Sequence, residues 1–180
     1  MSIEVVPYSA EWEGRFRIVE AQLSDALTGL AVEAIEHVGS TAVPGLAAKP
    51  ILDIDVIVPG DGTRPVISAL EGIGYRHRGS LGLDGREALH APDDGIPRHV
   101  YVCVAGTLHV RNHLAVRDAL RRDTSLRDRY GAIKTALAAD PGMDIDSYLA
   151  GKSDVLQEVL AASDLTEAEK DEIYRLNTGG

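Results

Sequence analysis

Two aspartates in an apolar stretch are the residues best suited to chemistry. Residues 51–58 read Ile-Leu-Asp-Ile-Asp-Val-Ile-Val, a run rich in β-branched residues that predicts a strand. Because side chains alternate along a strand, Asp53 and Asp55 share one face, roughly 6.6 Å apart. Two such carboxylates repel each other in an apolar setting, and a divalent cation removes that cost. The pair predicts a site for Mg²⁺ (or Mn²⁺), completed by substrate phosphates. The alternative is a strand end whose carboxylates face water.

A turn of small residues precedes this strand. Residues 32–38 predict a short strand that runs into Gly39-Ser40-Thr41, and a stretch of twelve residues, 41 to 52, then leads to the first aspartate. Glycine lets the backbone approach a ligand closely, and backbone N–H groups in such a turn can bind anions. We therefore expect Gly39, Ser40 and Thr41 to seat phosphate groups.

Two histidines lie near these elements in the sequence. His99 and Tyr101 share one face of a strand predicted over residues 98–105, which contains no carboxylate. If this strand neighbours the aspartate pair, His99 is a catalytic candidate and Tyr101 supports it. The alternative for His99 is a structural role. His37 directly precedes the glycine-serine turn, and it either supports the site or braces the turn by hydrogen bonds.

Three predicted helices offer cations for the same ligand. Helix 110–122 places two arginines four residues apart, and helices 125–139 and 144–162 each place a tyrosine four residues before a lysine. Arginine can clamp phosphate with two hydrogen bonds, and lysine acts as a point charge. The cations expected to bind phosphate, including one from the turn region, are Arg117, Arg121, Lys134, Lys152 and Lys49. Tyr130 and Tyr148 are their supporting neighbours. The alternative is three solvated helix faces with routine salt bridges.

The charge distribution limits the class of ligand. A net charge of −10 argues against broad binding to a nucleic-acid backbone, which needs a basic surface. Residues 1–60 hold nine acidic and three basic residues, whereas residues 111–134 hold seven basic and three acidic ones. An acidic metal-binding half that faces a basic helical half suits a metal-bound polyphosphate.

The sequence predicts a cytoplasmic protein without a membrane partner. It has no long apolar run, and its N-terminus has no basic region of the kind that begins a signal peptide. The single cysteine, Cys103, cannot form an intramolecular disulfide, which fits a reducing compartment. Its apolar neighbours predict a packed sheet position rather than a catalytic thiol.

At 180 residues the chain is expected to form one domain. Within it we expect a sheet-bearing core over 1–108, a helical part over 109–162, and a terminal helix and tail over 163–180. Trp12 and Phe16 begin an apolar stripe with helical spacing, which predicts a helix over residues 10–29.

Local signals mark the later elements. Thr63 is expected to cap a helix, and Thr166 with Glu169 forms a capping box before the last helix. Residues 79–97 are rich in Gly, Asp and Pro, and they predict a hairpin or an excursion over the site.

Several blocks of the sequence together resemble the GrpB family. These blocks are Tyr8 to Trp12, His37 to Asp53, Gly74-Tyr75, His99 to Val102, Arg117 to Arg121, Tyr130 to Lys134, and Tyr148 with Lys152. The match spans about residues 3–162. Glycine-serine followed by Asp-apolar-Asp also resembles the nucleotidyltransferase signature, and the GrpB family is assigned to that superfamily. The resemblance implies an α+β fold, with a nucleotidyltransferase-like mixed β-sheet packed with helices and followed by a C-terminal helical segment.

Two departures from the pattern bear on the reaction. Many nucleotidyltransferases carry a third carboxylate on a neighbouring strand, which residues 98–105 lack. In the GrpB family this strand commonly reads His-x-His, and Tyr101 replaces the second histidine here. The missing carboxylate questions the usual two-metal mechanism.

Three functions are therefore compatible with the sequence. The first is a metal-dependent nucleotidyltransferase that moves NMP from an NTP to a small-molecule or protein acceptor, which the sequence does not identify. The second is a non-catalytic module with a binding or folding-support role, since a GrpB-like domain is fused to dephospho-CoA kinase in some bacteria. The third is a transition-metal enzyme that uses His37, Asp53 and His99, because imidazole with carboxylate suits Zn, Mn or Fe. The oligomeric state is left open.

Overall fold

A five-stranded mixed sheet forms the centre of the computed structural model, which describes residues 4–178. The strands are β1 (Ala34–Val38), β2 (Leu52–Val58), β3 (Arg76–His77), β4 (Arg86–His90) and β5 (Arg98–Val104). Their order across the sheet is β1-β2-β5-β4-β3. β2 and β5 run parallel, and the other neighbouring pairs of these described strands are antiparallel.

Seven helices accompany the sheet in the described residues. They are α1 (Glu11–Ala26), α2 (Thr63–Gly72), α3 (Leu108–Arg122), α4 (Thr124–Ala138), α5 (Ile145–Gly151), α6 (Ser153–Leu160) and α7 (Glu167–Thr178). A 3₁₀ turn covers Ser40–Ala42. The predicted α+β fold, a mixed sheet with a C-terminal helical segment, is confirmed. No helix within residues 4–178 combines the length and the apolar character needed to cross a membrane.

The two faces of β2 have different environments because its side chains alternate. Leu52, Ile54 and Val56 are buried in a core that also contains the apolar stripe of α1 and the inner face of α2. Trp12 and Phe16 lie in this core, as predicted. The opposite face of β2 carries Asp53 and Asp55, and α3 contacts the sheet on that side. A second core joins α3, α4, α6 and α7 to the segment that follows β1.

The register of the sheet places the predicted site residues side by side. In the parallel β2–β5 pair, Asp53 lies opposite His99 and Asp55 lies opposite Tyr101. In the antiparallel β1–β2 pair, Asp55 lies opposite Glu36. β5 therefore neighbours the aspartate strand, which is the condition under which His99 was named a catalytic candidate.

Some local predictions need correction. Thr63 is the first residue of α2, and its side chain makes no capping hydrogen bond. The helix predicted over 144–162 is two helices, α5 and α6, which meet at Lys152 after the weak helix former Gly151. The capping box of Thr166 and Glu169 is present in both directions. The last two residues of the predicted tail lie outside the described residues.

The predicted excursion over 79–97 contains a strand. Its central residues form β4, which pairs with β3 on one side and with β5 on the other. The segment is thus part of two hairpins at the edge of the sheet.

Candidate functional site

A pocket of about 200 Å³ opens between the glycine-serine turn, the start of β2, and helices α4 to α6. The residues that line it are Ser40, Thr41, Lys49, Ile51, Asp53, His99, Lys134, Tyr148, Leu149 and Lys152. We call this the lysine pocket. Eight of these ten residues are site residues named in the sequence analysis, so the fold brings together positions that are up to 112 residues apart, from Ser40 to Lys152.

Lys134 is the most deeply buried cation of the lysine pocket. Its side chain comes from α4, the residue is only 2% exposed, and Nζ donates a 2.7 Å hydrogen bond to Ser40 Oγ. Burial, together with the positive charge of Lys152, lowers the pKa of Lys134 to about 7. A neighbouring anion would oppose both effects and raise the pKa of Lys134.

The other two lysines of the pocket, Lys49 and Lys152, also have lowered pKa values. Burial lowers the pKa of Lys152, and burial with the charge of Lys152 lowers the pKa of Lys49. Asp53 partly offsets the effect at all three lysines. Three amino groups against one carboxylate leave an excess of positive charge, which a phosphate group would balance.

Two tyrosines hold these amino groups in place. Lys49 Nζ lies 4.9 Å and Lys152 Nζ lies 5.3 Å from the ring centre of Tyr148. Lys134 Nζ lies 5.0 Å from the ring centre of Tyr130. At these distances a cation–π interaction stabilises a lysine that lacks full hydration. Tyr130 and Tyr148 thus contact the lysines of the pocket, and their supporting role stays a prediction.

Asp53 and His99 form a pair at the mouth of the lysine pocket. His99 Nδ1 lies 3.0 Å from Asp53 Oδ1, and the side chains are 54% and 33% exposed. The hydrogen bond to Asp53 outweighs burial and raises the pKa of His99. Because Nδ1 is engaged by the carboxylate, Nε2 is the ring nitrogen left to exchange a proton with a ligand.

Asp55 lies outside the lysine pocket, which the sequence did not predict. It is 0% exposed and sits beneath α3, where His113 Nδ1 donates a 2.9 Å hydrogen bond to Oδ2 and His109 Nε2 lies 3.8 Å from Oδ1. Burial would raise the pKa of Asp55, but the two imidazoles outweigh it and hold the pKa at about 2. The two aspartates therefore do not share one cavity, because α3 covers the second of them.

His109 and His113 were missed at the sequence level. Their spacing of four residues on a helix places both rings on one face, and the ring centres are 3.9 Å apart. The helix was predicted to begin at residue 110, which excluded His109, whereas α3 begins at Leu108. The pattern His-x-x-x-His was the available signal.

Arg117 and Arg121 were expected to bind phosphate, but both bind the protein itself. Arg117 donates to Glu36 and to the carbonyl oxygen of His37, and Arg121 donates through Nε and Nη2 to the carbonyl oxygen of Ala42. Arg127 acts similarly on the carbonyl oxygen of Pro44. These arginines thus position the backbone of the glycine-serine turn, and the turn in turn presents Ser40.

His37 braces the same turn from the other side. Its Nε2 lies 3.0 Å from Thr41 Oγ1, and its ring stacks on Phe16 at 4.7 Å. Burial lowers the pKa of His37 to about 4, so the ring is neutral at physiological pH. The ring nitrogens face Thr41 and Glu13. The metal site predicted from His37, Asp53 and His99 is therefore not assembled.

A comparison with the models of known protein families gives a match for this chain. The model of the GrpB protein family matches residues 2–162, which is most of the chain.

The chain belongs to the GrpB family.

Two relatives illustrate how far the GrpB likeness extends. A UPF0157 protein of Halalkalibacterium halodurans is 33% identical over 168 residues, covering 92% of this chain and 84% of the relative. The crystal structure of the conserved protein GrpB from Enterococcus faecalis has 33% identity and a TM-score of 0.75, covering 88% of this chain and 98% of that one.

The fold of this GrpB chain is also that of the nucleotidyltransferases. The Cid1 poly(U) polymerase, solved with MgGTP bound, matches with a TM-score of 0.53 over 72% of this chain and 43% of the polymerase. At 15% identity this similarity concerns the fold alone.

The donor groups of the lysine pocket fit a magnesium ion in this GrpB chain. Mg²⁺ is usually held by one or two carboxylates together with substrate phosphates. Asp53 supplies one carboxylate, and its Oδ2 faces Gly39 at the turn that presents Ser40. One carboxylate is the minimum that a protein supplies to Mg²⁺ or Mn²⁺ when ligand phosphates provide the other oxygens.

Tyr101 lies between the Asp53–His99 pair and the histidines that surround Asp55. Its ring centre lies 6.3 Å from that of His99 and 5.9 Å from that of His109, and the guanidinium of Arg86 lies over it at 4.8 Å. Tyr101 thus separates the exposed Asp53–His99 pair from the buried surroundings of Asp55.

Proposed function

We propose that this protein is a metal-dependent nucleotidyltransferase that transfers NMP from an NTP to an acceptor, a small molecule or a protein, bearing a hydroxyl or amine. The observation that carries the proposal is Lys134, buried with a depressed pKa and bonded to Ser40 beside Asp53. The nucleotidyltransferase fold supports the same reaction class. Catalysis would consist mainly of positioning and charge stabilisation.

The phosphate groups have a defined place in this proposal. Ser40 and Thr41 seat the triphosphate, and Lys49, Lys134 and Lys152 neutralise its charge. When the bond between the α-phosphorus and the bridging oxygen breaks, negative charge grows on pyrophosphate, and the lysines stabilise it. A divalent cation held by Asp53 and the phosphates supplies further charge neutralisation when bound.

His99 has the complementary task at the acceptor. The acceptor oxygen or nitrogen forms its bond to the α-phosphorus, and its proton goes to Nε2 of His99. Asp53 Oδ1 fixes the ring through Nδ1 and stabilises the imidazolium that results. Asp55, which was predicted to hold the metal together with Asp53, has no part in this proposal because it is buried under α3.

The test measures by calorimetry how tightly the protein binds ATP, GTP, CTP and UTP in the presence of Mg²⁺. We expect binding to the unaltered protein, a loss of at least tenfold in affinity in Lys134→Met, and loss of the Mg²⁺ dependence in Asp53→Asn. Lys170→Met is the matched control, because Lys170 is also a buried lysine but pairs with Glu167 on α7. Equal affinities in all four proteins would refute the proposal.

A second candidate, a non-catalytic module with the same fold, is favoured by one observation. Among the described residues that line the lysine pocket, Asp53 is the only carboxylate, because Asp55 is buried beneath α3. A thermal shift panel of nucleotides and metals separates the two. A specific ligand at 100 times its Kd adds about 2.7 kcal/mol to the free energy of unfolding, which raises Tm measurably. If no nucleotide raises Tm, the module with a folding-support role is the better description.

A further inference from the structure

Four side chains outside the lysine pocket meet between β2, β5 and α3. Asp55 comes from β2, Cys103 from β5, and His109 and His113 from α3. Asp55 Oδ, Cys103 Sγ and a ring nitrogen of His109 all lie within 4.8 Å of one another. We call these four residues the buried cluster.

The buried cluster contains polar atoms without a hydrogen-bond partner. Asp55 Oδ1 and His109 Nε2 are both inaccessible and unpartnered among residues 4–178, although they face each other at 3.8 Å. Asp55 is 0% exposed. Buried polar atoms are rarely left unsatisfied in native proteins, so each such atom points to a missing partner. A positive ion between Oδ1 and Nε2 would satisfy both.

We propose that Asp55 Oδ1, Cys103 Sγ and His109 Nε2 bind a Zn²⁺ ion, with a water molecule as the fourth ligand. Thiolate, imidazole and carboxylate are the three ligand types that zinc prefers, and a thiolate disfavours Mg²⁺ and Ca²⁺. Zinc bonds of roughly 2.0–2.3 Å place tetrahedral ligand atoms roughly 3.3–3.8 Å apart. The observed spacing closes to that range with small side-chain movements.

Charge and protons balance in this assignment. On binding, the Cys103 thiol loses its proton to solvent, and the thiolate with the Asp55 carboxylate neutralises the two positive charges of zinc. The imidazole of His109 binds as a neutral ligand. His113 donates from Nδ1 to the second carboxylate oxygen, Asp55 Oδ2, which orients the carboxylate as outer partners of metal ligands do.

The zinc would have a positioning role for the lysine pocket. α3 carries His109 and also Arg117 and Arg121, which bind the backbone of the glycine-serine turn. Fixing α3 to β2 and β5 through the metal therefore fixes the arginines as well. Because Tyr101 separates the buried cluster from the Asp53–His99 pair, the zinc site is distinct from the proposed nucleotide site.

The test uses Co²⁺, which replaces zinc and reports its ligands in the absorption spectrum. The full chain is treated with a chelator and titrated with Co²⁺. We expect one equivalent to bind, with tetrahedral d–d bands and a thiolate-to-cobalt charge-transfer band, and Zn²⁺ to displace it. Cys103→Ser should lose the charge-transfer band. His113→Gln should weaken binding by about 10- to 100-fold, and His109→Gln by more.

The controls keep this test separate from the proposed reaction. His77→Gln alters a histidine that pairs with Glu87 outside the buried cluster, and it should bind Co²⁺ like the unaltered protein. Asp53→Asn should lose Mg²⁺-dependent nucleotide binding yet keep the cobalt spectrum. Absence of the charge-transfer band in the unaltered protein would overturn the zinc site, a result that needs no variant to fold. Equal Co²⁺ affinity in His109→Gln would also overturn it.

Discussion

A Cβ atom on residue 39 would lie 2.4 Å from Oδ2 of Asp53, a distance that real Cβ atoms essentially never show. Gly39 also has φ +70°, in the left-handed region that favours glycine. Two independent constraints, one steric and one conformational, therefore require glycine at the start of the turn. The carboxylate of Asp53 can approach the turn only because residue 39 has no side chain.

Gly39→Ala should abolish nucleotide binding, because the added methyl group must displace Asp53. It should also lower the free energy of unfolding by more than the roughly 1–3 kcal/mol that a sparsely populated backbone conformation costs, because the clash with Asp53 adds to that cost. Gly29→Ala is the control: Gly29 has φ +83°, but a Cβ there meets nothing within 4 Å. Urea denaturation and calorimetry measure the two effects. Identical behaviour of the two variants would show that the Asp53 contact does not matter.

Nucleotide binding should take up a proton above pH 7. The pKa of Lys134 in the free protein is about 7 against an ordinary 10.5, and bound phosphate should raise it. Below pH 7 the amino group is already charged, so this group leaves affinity unchanged there. Between pH 7 and 9 affinity should fall by up to about tenfold per unit. Calorimetry in buffers of different ionisation enthalpy measures the proton count directly.

The same group links pH to stability with a defined sign. Between about pH 7 and 10.5 the unfolded chain binds a proton at Lys134 that the free folded protein does not. The free energy of unfolding therefore rises with pH across this window, as far as Lys134 contributes. Lys134→Met removes both this slope and the proton uptake. Persistence of both in that variant would assign them to another group.

Arg121→Met should destabilise the glycine-serine turn. Two guanidinium hydrogen bonds to the carbonyl oxygen of Ala42 are lost, and hydrogen bonds to charged groups contribute about 1.5–3 kcal/mol. Nucleotide affinity should fall with it, because Ser40 lies in the same turn. Arg122 is exposed like Arg121, but within residues 4–178 it donates no hydrogen bond to the turn, so Arg122→Met should change the free energy of unfolding by no more than about 0.5 kcal/mol. If both variants lowered the free energy of unfolding by a similar amount, the cause would be the loss of a positive charge rather than of the bonds to Ala42.

The elements around the lysine pocket were predictable because local signals were strong. The β-branched run of β2, the glycine-serine turn and the spacing of Lys134 after Tyr130 are all visible along the chain. The blocks shared with the GrpB family made the fold predictable as well. Alternation correctly placed Asp53 and Asp55 on one face of β2.

The surroundings of Asp55 were not predictable by the same means. Alternation gives the face of a strand that a side chain occupies, but not what covers that face. The cover depends on how far α3 extends and on the angle at which it crosses the sheet, both of which are set by tertiary packing. Arg117 and Arg121 show the same limit, since a helical pattern cannot distinguish an arginine that binds phosphate from one that binds a carbonyl oxygen 79 or 80 residues away.

The three lysines of the pocket come from three parts of the chain: Lys49 from the segment before β2, Lys134 from α4, and Lys152 from the junction of α5 and α6. Asp53 faces them from β2, and Ser40 faces them from the turn that follows β1. A bound polyanion would therefore link the β-sheet to the C-terminal helices. Without it, the mutual repulsion of the three lysines would weaken the packing between the sheet and these helices. Slower hydrogen exchange of the backbone amides in α4 to α6 would then report that the lysine pocket is occupied, even at amides that do not contact the ligand.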